Sequence, residues 1–327
     1  MSGIDTAPVF REVAPRTHRI DVPLGERFVS LYLVVGEDAS LLFDVGTTGM
    51  IDEYVLPAMR ALAVESASVR HVVLSHCDVD HFGGTADARA AFPAARIVAH
   101  ERDADAIQDF ATYVSERADG LGRFGWREDP DTLEWARSVT AEATLDGTVA
   151  GGEEIDLGDV VVRILHVPGH TEGHLALHIP ASDALLVSDA VLGASVNNAD
   201  GTPAFPPTYR FVDDYLASIR MLDGLGVGML LTAHYPSMSA HETRNFLRIS
   251  AAFAVETEAI VREVIASNAG VTFAQILDRV GPVAGQWPVE GTAGALAYPV
   301  AGHLERLEAR GLVRSGDSDG VRRWWPR

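Results

Sequence analysis

Residues 70–81 read Arg-His-Val-Val-Leu-Ser-His-Cys-Asp-Val-Asp-His. The apolar run is typical of a buried β-strand, and it stops abruptly at a loop containing His76, Asp78, Asp80 and His81. Imidazole and carboxylate groups are the ligands that zinc, iron and manganese accept in proteins. The stretch therefore predicts a metal-binding loop at the end of a strand, and the alternative is a solvated turn that caps the next helix.

Three later segments place residues of the same kind at the ends of strand-like runs. They are Gly169-His170-Thr171-Glu172-Gly173-His174, Ser188-Asp189-Ala190 and Thr232-Ala233-His234-Tyr235-Pro236. Loops at the ends of neighbouring strands meet at one edge of a sheet, so distant ligands can converge there. We therefore expect His170, Asp189 and His234 to complete one site with the loop after residue 75.

Taken together, these motifs resemble the signature of the metallo-β-lactamase superfamily, His-x-His-x-Asp-His followed by a histidine, a bridging aspartate and a final histidine. The resemblance covers roughly residues 18–240 and implies an α/β fold, a four-layered αββα sandwich. It also implies two divalent metal ions, with zinc expected, and a bridging hydroxide as nucleophile. The implied ligands are His76, Asp78 and His170 for the first ion, Asp80, His81 and His234 for the second, and Asp189 between them. Asp80 and Asp189 are the expected catalytic residues.

Asp78 departs from the pattern, because the superfamily has its second histidine at this position. A carboxylate is harder and more negative than an imidazole, so it favours iron or manganese over zinc. Direct ligation, ligation through water and no ligation all remain open. The flavodiiron oxidoreductases also carry a carboxylate here, which makes a di-iron oxidoreductase the alternative activity. Those proteins usually have a flavodoxin-like domain, and the region after residue 240 lacks the alternating strand and helix pattern of one.

Several residues near these motifs are expected to support the site or contact the substrate. By the resemblance, Asp44 would support the ligands, and His174 would be a structural histidine that forms hydrogen bonds. The loop after Asp189 offers Asn197, Tyr209 and Arg210 as substrate contacts, since an arginine can bind a substrate carboxylate. The segment from 101 to about 140 reads as mainly helical, and its aromatic residues are expected to pack or to cover an apolar pocket.

Composition narrows the range of activities. The chain has 327 residues, a formal net charge of −20 and no lysine, which excludes a phosphate-loop lysine and a Schiff-base lysine. So acidic a surface disfavours nucleic acid and leaves a small-molecule substrate as the expected partner. No run is long and apolar enough for a membrane span, and the N-terminus lacks an apolar signal core, so we expect a cytoplasmic protein.

The pattern after residue 240 changes from strands to helices and predicts two domains. Residues 1–240 would form the metal-binding catalytic domain and residues 241–327 a small, mainly helical domain. Its end, with the helix HLERLEARG and a predicted hairpin over residues 311–327, resembles a winged-helix appendage found in one branch of the superfamily. We expect it to serve in homodimerisation or in closing the active site. Residues 281–296, rich in glycine and proline, predict a long loop.

The expected activity is metal-dependent hydrolysis of an ester, lactone, thioester or amide of a small metabolite. The alternatives are the di-iron oxidoreductase described above and a nuclease that binds nucleic acid through the winged-helix-like region. A noncatalytic sensor is a further, minor alternative. The sequence alone does not name the scissile bond.

Overall fold

The computed structural model describes residues 9–327. The prediction that the N-terminus lacks a signal core rests partly on residues 1–8, which lie outside the described residues. The strands are β1 (Val9–Ala14), β2 (Thr17–Leu24), β3 (Arg27–Val35), β4 (Ser40–Phe43), β5 (Val69–Val73), β6 (Arg96–His100), β7 (Gly147–Val149), β8 (Glu154–Asp156), β9 (Val161–His166), β10 (Leu175–Ile179), β11 (Ala184–Ser188), β12 (Val196–Asn197), β13 (Pro203–Phe205), β14 (Met229–Thr232), β15 (Met238–Ser239), β16 (Val271–Thr272), β17 (Val313–Ser318) and β18 (Val321–Pro326).

Ten α-helical segments are present among the described residues. They are α1 (Leu56–Ala61), α2 (Val79–Phe82), α3 (Thr85–Ala91), α4 (Ala104–Gln108), α5 (Phe110–Thr112), α6 (Pro130–Ser138), α7 (Val212–Leu225), α8 (Ala240–Ser267), α9 (Phe273–Ala284) and α10 (Ala293–Ala309). Wider π-helical turns cover Ile51–Val55 and Tyr113–Ala118, and 3-10 turns cover Ser66–Ser68, Gly122–Phe124 and Pro180–Ser182. The predicted helix over 101–140 is thus a series of short turns and helices.

Two mixed sheets form the centre of the molecule. The first has the strand order β1 to β7, and the second has the order β15-β14-β11-β10-β9-β8. In the first sheet β4, β5, β6 and β7 run parallel, with Leu42 beside Val72. Every residue of β4 and β11 is buried, as expected for strands that are covered on both faces. An apolar cluster containing Phe43, Leu177 and Leu186 packs between the sheets.

Helices cover the outer face of each sheet. One apolar cluster joins α1 and α3 to the first sheet, and it includes Met59, Ala88 and Val72. Another joins α7 and α8 to the second sheet, through Ile219 and Ala254 among others. Each helix therefore buries its apolar face against a sheet, and the result is the predicted α/β sandwich with layers in the order helix, sheet, sheet, helix.

The region after residue 240 consists of α8, α9, α10 and a small sheet of order β16-β18-β17. The antiparallel pairing of β17 with β18 confirms the predicted C-terminal hairpin. The predicted loop over 281–296 is shorter than expected, because α9 extends to Ala284 and α10 begins at Ala293. Burial of Ile276 and Val280 stabilises α9 although Pro282 lies inside it.

One apolar cluster connects this region with the second sheet. Trp324, which is fully buried, belongs to the same cluster as Leu185 of β11. The helix α8 begins with a capping box, in which Ser239 N donates to Glu242 Oε2 at 2.8 Å. Across residues 9–327, no helix combines the length and the apolar character needed to cross a membrane.

Candidate metal centre

The seven predicted ligands come from four segments, each of which follows a strand. His76 and Asp78 lie in the loop after β5, and Asp80 and His81 lie in α2, which follows that loop. His170 follows β9, Asp189 follows β11 and His234 follows β14. The structure brings all seven together at one edge of the two sheets. They form three groups in which one ligand atom from each residue lies within 4.8 Å of the others: His76, Asp78 and His170; His76, His81 and Asp189; Asp80, His81 and His234.

We call Asp80, His81, Asp189 and His234 the second ligand set. Here His234 Nε2 lies 3.2 Å from Asp189 Oδ2 and 3.5 Å from Asp80 Oδ2. His81 Nε2 lies 3.7 Å and 3.8 Å from the same two oxygens. Ligands about 2.0–2.2 Å from a tetrahedral zinc ion lie roughly 3.3–3.6 Å apart, so these separations suit one ion.

We call His76, Asp78 and His170 the first ligand set. Asp78 Oδ2 lies 2.9 Å from His170 Nε2 and 3.6 Å from His76 Nε2. Between the two sets, His76 Nε2, His81 Nε2 and Asp189 Oδ1 are buried and have no hydrogen-bond partner among the described residues. An unpaired buried polar atom costs about 1–3 kcal/mol, so convergence of three such atoms fits a bound cation.

The outer nitrogen of each ligand histidine is held by a polar partner. His81 Nδ1 lies 2.9 Å from Asp44 Oδ2, and His234 Nδ1 lies 2.8 Å from the carbonyl oxygen of Phe28. His76 Nδ1 lies 2.8 Å from Ser75 Oγ, and His170 Nδ1 lies 3.3 Å from Thr208 Oγ1. A carboxylate and a carbonyl only accept, so Nδ1 of His81 and of His234 carries the proton. Nε2 is therefore the nitrogen that is left to bind a metal ion, in place of a proton.

Asp44, for which the sequence suggested a supporting role, has its carboxylate behind His81. Its Oδ2 also accepts hydrogen bonds from Ser75 Oγ (2.8 Å) and Ser188 Oγ (2.9 Å), and its Oδ1 accepts one from Ser75 N (2.7 Å). The backbone of Asp44 is left-handed, with φ of 63°. Aspartate and asparagine adopt this conformation more readily than other side chains, which suits the sharp turn after β4.

Burial and neighbouring charges shift the pKa values of the clustered histidines in different directions. Burial lowers the pKa of His76 to about 3, and the neighbouring His81 acts in the same direction. Burial also opposes the charged form of His81, but Asp80, Asp189 and Asp44 outweigh it and raise the pKa of His81 to about 10. Asp189 and Asp80 likewise raise the pKa of His234 against the effect of its burial. The second ligand set is therefore a strongly negative environment that attracts cations.

Arg117, which sequence reasoning missed, binds Asp78 of the first ligand set. Its Nε donates to Asp78 Oδ1 at 2.7 Å and its Nη2 donates to Asp78 Oδ2 at 2.8 Å. Although burial opposes ionisation, the guanidinium holds the pKa of Asp78 well below its usual range. Arg117 lies in the turn Tyr113–Ala118, where the sequence shows only a charged, helical pattern. No sequence signal distinguished it from a solvated surface arginine.

Asp103, which sequence reasoning also missed, links the two loops that carry the first ligand set. Its side chain accepts hydrogen bonds from Thr171 Oγ1 (2.6 Å), Gly173 N (2.8 Å) and Cys77 N (3.2 Å). It is buried, and desolvation raises its pKa. Gly173 packs so closely that a Cβ there would lie 2.6 Å from the Asp103 carboxylate. These hydrogen bonds fix the position of the loop after β5 relative to the loop after β9.

His174 is buried beside the ligands and stacks on His76, with the ring centroids 4.5 Å apart. Neither of its ring nitrogens has a hydrogen-bond partner among residues 9–327. The expected hydrogen bonds of this histidine are therefore not made, and its contact with the ligand is one of packing. Cys77 is buried as well, and burial raises the pKa of its thiol well above the usual range.

The three residues expected to contact substrate lie in different environments. Tyr209 is fully buried, stacks on Tyr215 and shares a hydrogen bond with His303 Nε2 (2.9 Å), so it is a core residue and that expectation is corrected. Asn197 lies in the β12–β13 hairpin, accepts a hydrogen bond from Ser195 Oγ (2.6 Å) and is not among the residues that border the cavity beside His170. Arg210 does border a cavity beside His170, although both of its terminal nitrogens are bound to Glu305.

That cavity has a volume of about 490 Å³ and opens next to His170. Four arginines border it: Arg102, Arg117, Arg123 and Arg210. Burial, together with the nearby Arg123 and Arg117, lowers the pKa of Arg210 to about 10. Leu121 and Tyr298 contribute apolar surface. The aromatic residues of segment 101–140 do not roof it: Phe124 is in the core, and Trp135 is 42% exposed on the surface.

Comparisons with known proteins identify the family and the fold. A model of the metallo-beta-lactamase superfamily matches residues 24–234, more than half of the chain. The acyl-coenzyme A thioesterase MBLAC2 of Bos taurus is 25% identical over 228 residues, which cover 64% of this chain and 74% of that protein. The hydroxyacylglutathione hydrolase of Ruegeria pomeroyi is 32% identical over 89 residues, but these are 27% of this chain and 35% of that relative.

Two crystal structures share the fold over nearly the whole chain. A beta-lactamase domain protein from Burkholderia ambifaria has a TM-score of 0.77 at 20% identity, covering 100% of this chain and 96% of that one. A metallo-beta-lactamase family protein from Thermus thermophilus has a TM-score of 0.75 at 20% identity, covering 97% of this chain and 100% of that one. At this level of identity the likeness concerns the fold alone, and it includes the helices after residue 240.

Proposed function

Because the chain belongs to the metallo-beta-lactamase superfamily, we propose that it is a metal-dependent hydrolase of a small acyl compound, with a thioester as the preferred substrate. The observation that carries this proposal is the convergence of buried, unpaired ligand atoms from His76, His81 and Asp189, in a cluster whose His170 borders a cavity. Two relatives named for thioester hydrolysis support the thioester over the ester, lactone and amide alternatives.

The seven ligands are sufficient for two divalent ions, and zinc is the proposed metal because four of the seven are histidines. Because the carboxylate of Asp78 is a harder ligand than an imidazole, iron and manganese are the alternative metals. When bound, a divalent ion lowers the pKa of a water molecule and polarises the acyl oxygen. The protein's own part is to hold a proton on Nδ1 of His81 and of His234, through Asp44 and the Phe28 carbonyl, so that Nε2 is the atom left to bind the ion. Asp80 and Asp189, the proposed catalytic carboxylates, lie within 3.5 Å of His234 Nε2 and can take up the proton that the water loses.

The cavity beside His170 is the proposed binding site for the acyl compound. Its volume of about 490 Å³ suits a small molecule, and Leu121 and Tyr298 offer an apolar wall for an acyl chain. Arg123 and Arg210 share the single carboxylate of Glu305, so this part of the wall has one guanidinium more than it has carboxylates, although Glu116 and Glu172 also border the cavity. We therefore propose that the substrate carries a carboxylate or phosphate group.

The two alternative activities have less support. A flavodoxin-like domain has parallel strands, whereas β16, β17 and β18 pair antiparallel in the described region after residue 240. A nuclease is disfavoured by the net charge of −20. We propose that residues 241–327 form a winged-helix-like domain that closes the active site, because Tyr298 of α10 borders the cavity.

The test is a hydrolysis assay on four substrate classes, namely thioesters of coenzyme A and of glutathione, p-nitrophenyl esters, lactones and amides. Zinc content is measured in parallel. We expect thioester hydrolysis that a chelator abolishes and zinc restores, and that His234→Ala abolishes. His178→Ala, a histidine of β10 outside the ligand groups, is the matched control and should retain activity. Protein that contains two irons and hydrolyses none of the four classes would overturn the proposal.

A further inference from the structure

A positively charged side chain, that of Arg117, lies directly beside the first ligand set. The guanidinium of Arg117 forms a two-point contact with Asp78, and its Nη2 lies 3.4 Å from His170 Nε2. Two of the three ligands of this set therefore face a fixed positive charge. The side chain of Arg117 is only 10% exposed, so water screens this charge weakly.

The C-terminal region holds this guanidinium in place. The aromatic ring of Tyr298, in α10, lies 4.2 Å from the guanidinium carbon of Arg117, which is the geometry of a cation–π contact. The hydroxyl of Tyr298 donates to the backbone carbonyl of Arg117 at 3.2 Å. One tyrosine thus restrains both the side chain and the backbone of Arg117. A rotation of the guanidinium away from Asp78 would have to break these contacts.

The second ligand set has the opposite balance of charge. It contains Asp80 and Asp189, and a third carboxylate, Asp44, lies directly behind His81. Among residues 9–327, no arginine forms an ion pair with any of these three aspartates. The first set, by contrast, has one carboxylate of its own, whose charge Arg117 balances, and otherwise only the charge of Asp189, which lies between the two sets. A divalent ion is therefore attracted far more strongly to the second set than to the first.

We propose that Arg117 makes this centre bind metal unequally, so that one ion occupies the second ligand set tightly while the guanidinium occupies the place of its partner. A second ion then binds at least about a hundredfold more weakly, because it must displace Arg117 or lie beside its charge. Arg117 is a positioning residue in this scheme. The inference rests on the proposed function in one respect only, namely that the centre binds metal.

The experiment is a zinc titration of the full chain in competition with a chromophoric chelator, with elemental analysis after gel filtration. Wild type is compared with Arg117→Met, which removes the charge, and with Arg117→Lys, which keeps it. Arg123→Met is the matched control, because it removes an arginine from the same cavity wall that does not contact the ligand atoms. Tyr298→Ala and Tyr298→Phe separate the ring from the hydroxyl without changing any ligand.

Wild type, Arg117→Lys and Arg123→Met should each retain one zinc. Arg117→Met should bind the second zinc at least about tenfold more tightly than wild type. Tyr298→Ala should give a smaller change in the same direction, and Tyr298→Phe should behave like wild type, because it keeps the ring that faces the guanidinium. If Arg117→Met does not fold, the pair of Tyr298 variants decides the question.

Two zinc ions bound by wild type with affinities within about tenfold of each other would overturn this inference and leave the proposed hydrolase intact. A second-zinc affinity unchanged in Arg117→Met, or in Tyr298→Ala where Arg117→Met is unfolded, would overturn it too. Absence of any zinc from wild type would instead overturn the proposed function.

Discussion

Replacing Asp44 by asparagine removes one negative charge and one acceptor atom from behind the ligands. The left-handed backbone at this position, with φ of 63°, is compatible with asparagine, so the turn after β4 is retained. Oδ1 still accepts the hydrogen bond from Ser75 N. The hydroxyls of Ser75 and Ser188 can rotate and accept from the new amide, but Nδ1–H of His81 cannot.

His81 then moves its proton from Nδ1 to Nε2, the atom that faces the second ligand set. A proton on Nε2 blocks metal ligation, so we expect zinc affinity to fall about 10–100-fold, which is roughly 1.4–2.8 kcal/mol. Loss of the charge-assisted hydrogen bond should lower the free energy of unfolding of the metal-free protein by about 1.5–3 kcal/mol. Competition with a zinc chelator measures the first quantity, and urea denaturation measures the second.

Ser188→Ala is the control for this prediction. It removes another donor to Asp44 Oδ2, at 2.9 Å, but leaves the proton of His81 on Nδ1. It should cost about 1 kcal/mol of stability and change zinc affinity less than about threefold. Wild-type zinc affinity in Asp44→Asn would show that Asp44 does not determine which nitrogen of His81 is protonated, and the reasoning would fail.

Three further predictions concern stability. Asp103→Ala leaves Gly173 N without its partner and should lower the free energy of unfolding by about 2–4 kcal/mol in urea denaturation; a loss below about 1 kcal/mol would contradict the linking role of Asp103. The neighbouring His303 and Arg306 lower the pKa of Glu258 from 4.5 to about 2. The stabilising effect of Glu258 is therefore complete above pH 4.5 and is lost as the pH falls toward 2. Glu258→Gln should cost about 1 kcal/mol at about pH 7, after allowance for screening by solvent, and progressively less below about pH 4.5; a pH-independent difference would refute this. Trp324→Ala should cost about 3–5 kcal/mol in the same assay, because its side chain is fully buried in the cluster shared with the second sheet. A separate unfolding transition for residues 241–327 would show that this cluster does not couple the two regions.

The sequence alone was sufficient to predict where the apolar strands end and which seven polar residues follow them. Buried strands such as β4, β5 and β11 are apolar runs that stop at polar loops, and both features are local in the chain. Spacing within a loop, such as that between His76 and His81, is also a local property. Each segment could therefore be recognised by itself, although the roles of the seven predicted ligands came from the combination of the segments and its resemblance to the superfamily.

Tertiary structure alone decided which charges and hydrogen bonds surround these ligands. Arg117 lies 39 residues from Asp78 in the chain, and Tyr298 lies 181 residues from Arg117. In sequence, each looks like an ordinary residue of a helix, because burial and orientation depend on what packs against that helix. For the same reason the sequence did not show that Tyr209, expected to contact substrate, lies in the core, where it contacts His303. The sequence thus determined which atoms can bind a metal, and the packing of distant segments determined how strongly each ligand set attracts one.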